Sequence, residues 1–229
     1  MKNIMQLLFI LLLLSGCTYQ YPEIDWIDFI KWDKKEYIAV NDVVIADESF
    51  IGEEIGEVQF KVANHVQDAN YKSKNGDAAF HRKGTKMYSI KEASNLIALK
   101  DSTLIHGYKI YDSSNHKKYN YFFRNIPLNN IHTIEVYNTY SSNNKKVAVW
   151  KDRDNIEIFI QLLKTSKNNP LKSMPKREKR SHFDILLYVN GPLAYKISIF
   201  YDGEQYFWYP NDTSILSNDI SFYLSNKAN

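Results

Sequence analysis

The stretch FDILLYVNGPLAYKISIFYDGEQYFWY, residues 183–209, decides the fold. Three runs rich in β-branched and aromatic residues are divided by Asn190-Gly191-Pro192 and by Asp202-Gly203, both made of turn formers, so the stretch reads as an antiparallel meander. A three-residue turn at 190–192 sets Val189 against Leu193, Leu187 against Tyr195, Ile185 against Ile197 and Phe183 against Ile199. A two-residue turn would oppose Asp184 to Ile197 instead. One residue of slip moves a strand's apolar set to the wrong face, so the three-residue turn is expected. A two-residue turn at Asp202-Gly203 then puts Tyr206 opposite Ile199 and Trp208 opposite Ile197.

Working upstream, Ile156, Phe159, Ile160 and Leu163 fall at i, i+3, i+4 and i+7, one face of a helix. Asp154, with Glu157 three residues later, gives a capping-box-like start. Before it, Ile131–Tyr137 and Lys146–Trp150 read as strands joined by a loop. The expectation is a β-β-α-β-β-β unit over 116–229, with Phe159, Ile160, Ile185, Leu187, Ile197 and Trp208 in its core. The polar run Asp112–Lys118 marks its boundary with a first half, 24–115, of short strands. These are Asp28–Trp32 and Glu36–Val40 around a turn at Asp33-Lys34-Lys35, the alternating Val58, Phe60 and Val62, then Ala78–Phe80, Gly84–Ile90, Leu96–Leu99 and Leu104–Tyr111. So many short strands suggest a small β-roll or barrel. The fold class expected for the whole chain is α+β, mainly antiparallel β.

Composition bounds the rest. The chain has 229 residues, 44% of them hydrophobic, and a net charge of +3. It can bury a core, which excludes global disorder, and a charge this near neutral does not point to nucleic acid. At the N-terminus, Lys2 precedes a continuous apolar run, Leu7–Leu14, and small residues then lead to Cys17, the order of a secretory signal. Eight apolar residues reach only about 12 Å, far short of the hydrocarbon core of a bilayer.

Leu14-Ser15-Gly16-Cys17 resembles the lipobox of bacterial lipoproteins at all four positions. The resemblance implies a signal peptide over 1–16, cleavage before Cys17, a diacylglyceryl group on its thiol carrying chains such as palmitate, and a lipidated tether over 17–23. The mature protein would then sit on the extracytoplasmic face of the cell membrane. Cys17 is the single cysteine, which leaves no second thiol for a disulfide or a thiolate metal site. Asn75–Phe80, followed by Lys83-Gly84-Thr85, is similar to a segment of uncharacterised lipoproteins from Bacillus-type Gram-positive bacteria, a resemblance that carries no known activity.

Motifs for chemistry are sparse. No Gly-x-Ser-x-Gly turn, His-Glu-x-x-His pair or phosphate-cradling glycine loop occurs, and His65, His81, His106, His116, His132 and His182 are scattered singly. No cofactor or metal is expected. Glu53, Glu54 and Glu57 cluster, as do Asp25, Asp28 and Asp33, and Asp152 with Asp154. Paired acids such as Glu53 and Glu57 would serve an envelope-active hydrolase if held over a sugar. Two features suit binding instead. Lys172, Lys176, Arg177, Lys179 and Arg180 form a basic loop suited to anionic head groups or a wall polyanion. Phe207 and Tyr209 would face outward if Tyr206 and Trp208 face the core, and could stack on a sugar or peptide. A non-catalytic envelope protein that binds a protein, peptide or polymer fits these residues. An exclusion or immunity lipoprotein is a further alternative that no particular residue supports.

Overall fold

Trp32 pairs with Lys35, so the first hairpin turns on two residues, Asp33 and Lys34, and not on three. Both have positive φ, +45° and +62°, the turn geometry whose twist matches the flanking strands. In the computed structural model, residues 24–114, 123–139, 144–169, 181–209 and 213–225 are described. The strands are β1 (Phe29–Trp32), β2 (Lys35–Val40), β3 (Val43–Ile45), β4 (Ile51–Glu57), β5 (Phe60–Lys61), β6 (Asp77–Ala78), β7 (Lys86–Ile90), β8 (Leu96–Lys100) and β9 (Tyr108–Asp112). Then follow β10 (Thr133–Asn138), β11 (Lys145–Trp150), helix α1 (Arg153–Lys164), β12 (Lys167–Asn168), β13 (Ser181–Tyr188), β14 (Leu193–Tyr201), β15 (Tyr206–Trp208), β16 (Ser214–Ile215) and the short α2 (Ser221–Leu224).

The fold is α+β and mainly antiparallel, with the first sheet curled into a half-barrel. That sheet runs β4-β7-β8-β9-β2-β1-β6-β5, and its one parallel pair is β5 with β6. Its central strand β8 is apolar on both faces for a reason. Ile97 and Leu99 join Ile30, Tyr37, Met87 and Tyr111 inside the curl, whereas Leu96 and Ala98 join Ile110, Val43 and Ile45 on the opposite side. The alternation expected at Val58, Phe60 and Val62 fails there. Val58 donates its N–H to Thr85, but Gln59 and Phe60 turn to the carbonyl of Gly76, so the chain changes partner and leaves Phe60 37% exposed. Leu104 does not open β9 either. Residues 105–107 form a 3-10 turn with His106 and Gly107 at positive φ, and the strand begins at Tyr108.

The second sheet runs β11-β10-β13-β14-β15-β16-β12. The β13–β14 register is the one argued from the sequence, with Phe183 opposite Ile199, Ile185 opposite Ile197 and Leu187 opposite Tyr195. The next turn is longer than expected. Asp202 accepts the N–H groups of Glu204 and Gln205, closing a four-residue loop that sets Trp208 against Ile199 and Tyr206 against Tyr201. A shift of two residues preserves the face, so Trp208 still joins the core. Against that face lies α1, which buries Ile156, Phe159, Ile160 and Leu163. Each such side chain contributes about 1.5–3 kcal/mol of transfer free energy. The N-cap is Asp152 and not Asp154: its carboxylate accepts from the N–H groups of Asp154 and Asn155.

One strand of the first segment completes the second sheet. β3 pairs with the start of β14 through Val43–Tyr195, Val44–Ala194 and Ile45–Leu193. Val43 and Ile45 face the first sheet's outer core, and Val44 packs with Leu186, Ala194, Tyr137 and Ile105. The two sheets therefore share apolar clusters on both sides of β3.

Candidate functional site

Three polar constellations form where the sequence shows only single histidines. The first stands behind an open cleft of about 760 Å3 between the 80–86 loop, the 100–103 turn and Lys61 of β5. Lys61, Arg82, Lys83, Lys86 and Lys100 line it, with Asp101 as the one carboxylate. Thr85 donates its N–H to the Arg82 carbonyl to close a tight turn, and Gly84 takes φ +84° within it. A side chain at Gly84 would meet nothing within 4 Å, so this turn is open on that side. The turn presents Arg82 and Lys83, both exposed.

The charges there are not equally available. Lys86 reaches Glu54 at 2.9 Å and Glu57 at 3.1 Å, and those hydrogen bonds hold its ammonium charged to higher pH. Lys100 donates to the Tyr108 hydroxyl at 3.2 Å and sits 4.4 Å from the centre of that ring. Its pKa is raised, chiefly by that hydrogen bond. Lys61, Arg82 and Lys83 make no ion pair among the described residues. Burial pushes the Asp101 carboxyl up, but hydrogen bonds from the hydroxyl and N–H of Thr103, at 2.6 and 3.0 Å, outweigh it and hold the pKa low. Behind the cleft, Tyr111 is fully buried and donates to Asp28 at 2.9 Å, and Lys109 reaches the other oxygen of Asp28 at 2.5 Å. The proton of Tyr111 being committed to Asp28, His81 Nε2, 2.7 Å away, must donate to the phenolic oxygen. Burial pushes the His81 pKa down.

The second constellation joins the sheets. His106 Nδ1 lies 2.6 Å from the Ile45 carbonyl, which can only accept, so that nitrogen carries the proton. Its Nε2 is 3.3 Å from the hydroxyls of both Tyr137 and Tyr188. Each tyrosine donates to one oxygen of Glu135 at 2.8 Å, and Lys146 binds the other at 2.6 Å. Burial pushes the Glu135 carboxyl up, but hydrogen bonds from Lys146, Tyr137 and Tyr188 prevail and hold it low. Burial, then the bond to Glu135, pushes both tyrosines up.

The third places Ser198, Asp184 and His182 together on β13 and β14. Ser198 donates to Asp184 at 2.6 Å, and His182 Nε2 lies 3.3 Å from the same oxygen without the alignment of a hydrogen bond. Nucleophilic activation needs the imidazole between the hydroxyl and the acid. Here the carboxylate stands in the middle, so the serine proton goes to a structural acceptor.

The residues singled out in the sequence fall as follows. Cys17, His116 and the basic loop Lys172, Lys176, Arg177, Lys179 and Arg180 lie outside the described residues. Phe207 does not face outward: it is 1% exposed, stacked on Phe200 and edge-on to Tyr209, because β15 is buried on both faces. Tyr209 is 43% exposed. Glu53 and Glu54 are exposed on β4. Asp152 caps α1, and His65 and His132 bond only to a neighbouring carbonyl and hydroxyl. Among the described residues no three His, Cys, Asp or Glu side chains are grouped to hold a metal ion, and no helix is long and apolar enough to cross a membrane. Sequence reasoning missed the cleft, since its cations come from three separated segments, 61, 82–86 and 100. No protein-family model, curated protein or solved structure matches the chain.

Proposed function

We propose that the protein is a lipid-anchored extracytoplasmic binding protein, tethered through Cys17, whose β-rich body takes a negatively charged component of the cell envelope at the basic cleft. The observation that supports the binding half is the convergence of Lys61, Arg82, Lys83 and Lys100 on one concavity, four cations against the single ionised carboxylate of Asp101 among its lining residues. The anchor rests on the lipobox-like Leu14–Cys17. Two acyl chains, each contributing about 0.8 kcal/mol per buried methylene, hold a body of this size firmly. In this reading the basic segment bearing Lys172, Lys176, Arg177, Lys179 and Arg180 meets anionic head groups at roughly 1 kcal/mol per charge near the surface.

A hydrolase using Glu53 and Glu57 has less support. Both stand on β4, where Glu53 is exposed and Glu57 is paired to Lys86, which also holds Glu54. Cys17→Ser is expected to abolish labelling by radioactive palmitate and to release the protein or leave its precursor uncut; unchanged labelling would overturn the anchor. Retention of the detergent-solubilised full-length protein on isolated envelope material should fall steeply as salt rises. Salt-insensitive retention would overturn the binding half.

A further inference from the structure

We infer that the cleft between the 80–86 loop and the 100–103 turn is a site for a linear phosphate-bearing polyanion, held by Arg82, Lys83, Lys61 and Lys100. This rests on the reading of the cleft as an anion site and names the chemistry of what enters it. The shape favours a chain over a bilayer, because the cations line a concavity from two rims and from β5, where a flat surface of head groups cannot follow. The donor set favours phosphate over carboxylate. Arg82 offers a planar fork, and Lys61, Lys83 and Lys100 approach from separate segments as point charges, which suits tetrahedral groups with acceptor oxygens on several sides better than a planar pair.

A second feature points the same way. The turn closed by the Thr85 N–H on the Arg82 carbonyl, with Gly84 at φ +84°, holds Arg82 and Lys83 side by side at the rim that carries the cations. Beside them Phe80 is 46% exposed and lines the same cleft, an apolar wall for the linker between charges. Lys86, neutralised by Glu54 and Glu57, marks the end of the available positive strip.

The test uses the full-length protein held through its acyl chains in neutral phosphatidylcholine vesicles, with short linear polyphosphate, polyglutamate of equal charge and separate phosphatidylglycerol vesicles as probes. Polyphosphate should bind at least tenfold more tightly than polyglutamate. The double variant Arg82→Gln/Lys83→Gln should lose about tenfold, and its log-affinity against log-salt slope should flatten by about 1.4, two contacts at the roughly 0.7 each seen for single-stranded polyanions. Both residues are exposed in a turn, so the far-UV circular dichroism should stay the same. Lys145→Gln/Lys151→Gln, which removes equal charge from the start of β11 and from the residue just after it, should bind as the wild type does. Equal affinity for the two polymers, both weakened by the cleft variant, would overturn the phosphate inference and leave the anion site standing. Vesicle binding that depends on Arg82 and Lys83 while polyphosphate binding does not would also overturn it, in favour of a membrane surface. Polymer and vesicle binding both indifferent to the cleft variant would overturn the anion site itself.

Discussion

His81 shows how one side chain can link a site to stability. Its Nε2–H is fixed on Tyr111, whose own proton is fixed on Asp28, so the ring is held at the back of the cleft by a chain of single-valued hydrogen bonds. Burial depresses its pKa below the ordinary 6.5. The unfolded chain therefore takes up a proton first as pH falls, and stability at this residue is present above about 6.5 and lost as pH drops through the window beneath it. Urea midpoints measured from roughly pH 8 to 5 should fall for the wild type and fall less for His81→Gln, which can still donate to Tyr111. Identical pH profiles for the two would contradict this account of His81. Nothing in the sequence shows the chain, since Asp28, His81 and Tyr111 are separated by dozens of residues and only the curl of the first sheet brings them together.

At the scale of elements, the helix and the meander were legible because their signals are local. The i, i+3, i+4, i+7 spacing at Ile156–Leu163 and the alternation at 183–189 each need only a few neighbours to be read, and both are borne out in burial and register. The cap was misread by two residues. Asp154 with Glu157 satisfies the pattern, but Asp152 has the extended backbone, φ −71° and ψ 135°, that lets its carboxylate turn back onto the first amides, and Glu157 instead pairs with Arg153. Asp152→Ala should cost about 1 kcal/mol in denaturant unfolding, with Asp154→Ala costing clearly less. The reverse order would restore Asp154 as the cap. β3 and β4 went unread for different reasons. Val43–Ile45 is too short to show a period, and Ile51–Glu57 carries two glycines and irregular pairing with β7. The outward placement of Phe207 failed because alternation identifies which residues share a face, while burial depends on what packs over it.

For the whole molecule, the joint between the sheets combines apolar packing around β3 with the His106–tyrosine–Glu135–Lys146 network. Glu135 titrates below its usual value, so its stabilisation is present above the unfolded value of 4.5 and lost as pH falls through the lower folded value. Glu135→Gln should cost about 1–3 kcal/mol near neutral pH, because Lys146 and two hydroxyls lose a charged acceptor, and should flatten the acid limb of the stability curve. An unchanged acid limb would remove Glu135 from the joint's energetics. The cleft lies on the first sheet, and its value as a site depends on what reaches it in the envelope. The most direct measurement places a photo-crosslinking phenylalanine derivative at Ser102, in the cleft, and in a separate strain at Lys151, between β11 and α1, of the full-length protein in intact cells. The account predicts an adduct of phosphate-bearing polymer from position 102 that is absent from 151 and suppressed by Arg82→Gln/Lys83→Gln. Equal adducts at both positions, or none at 102, would contradict it.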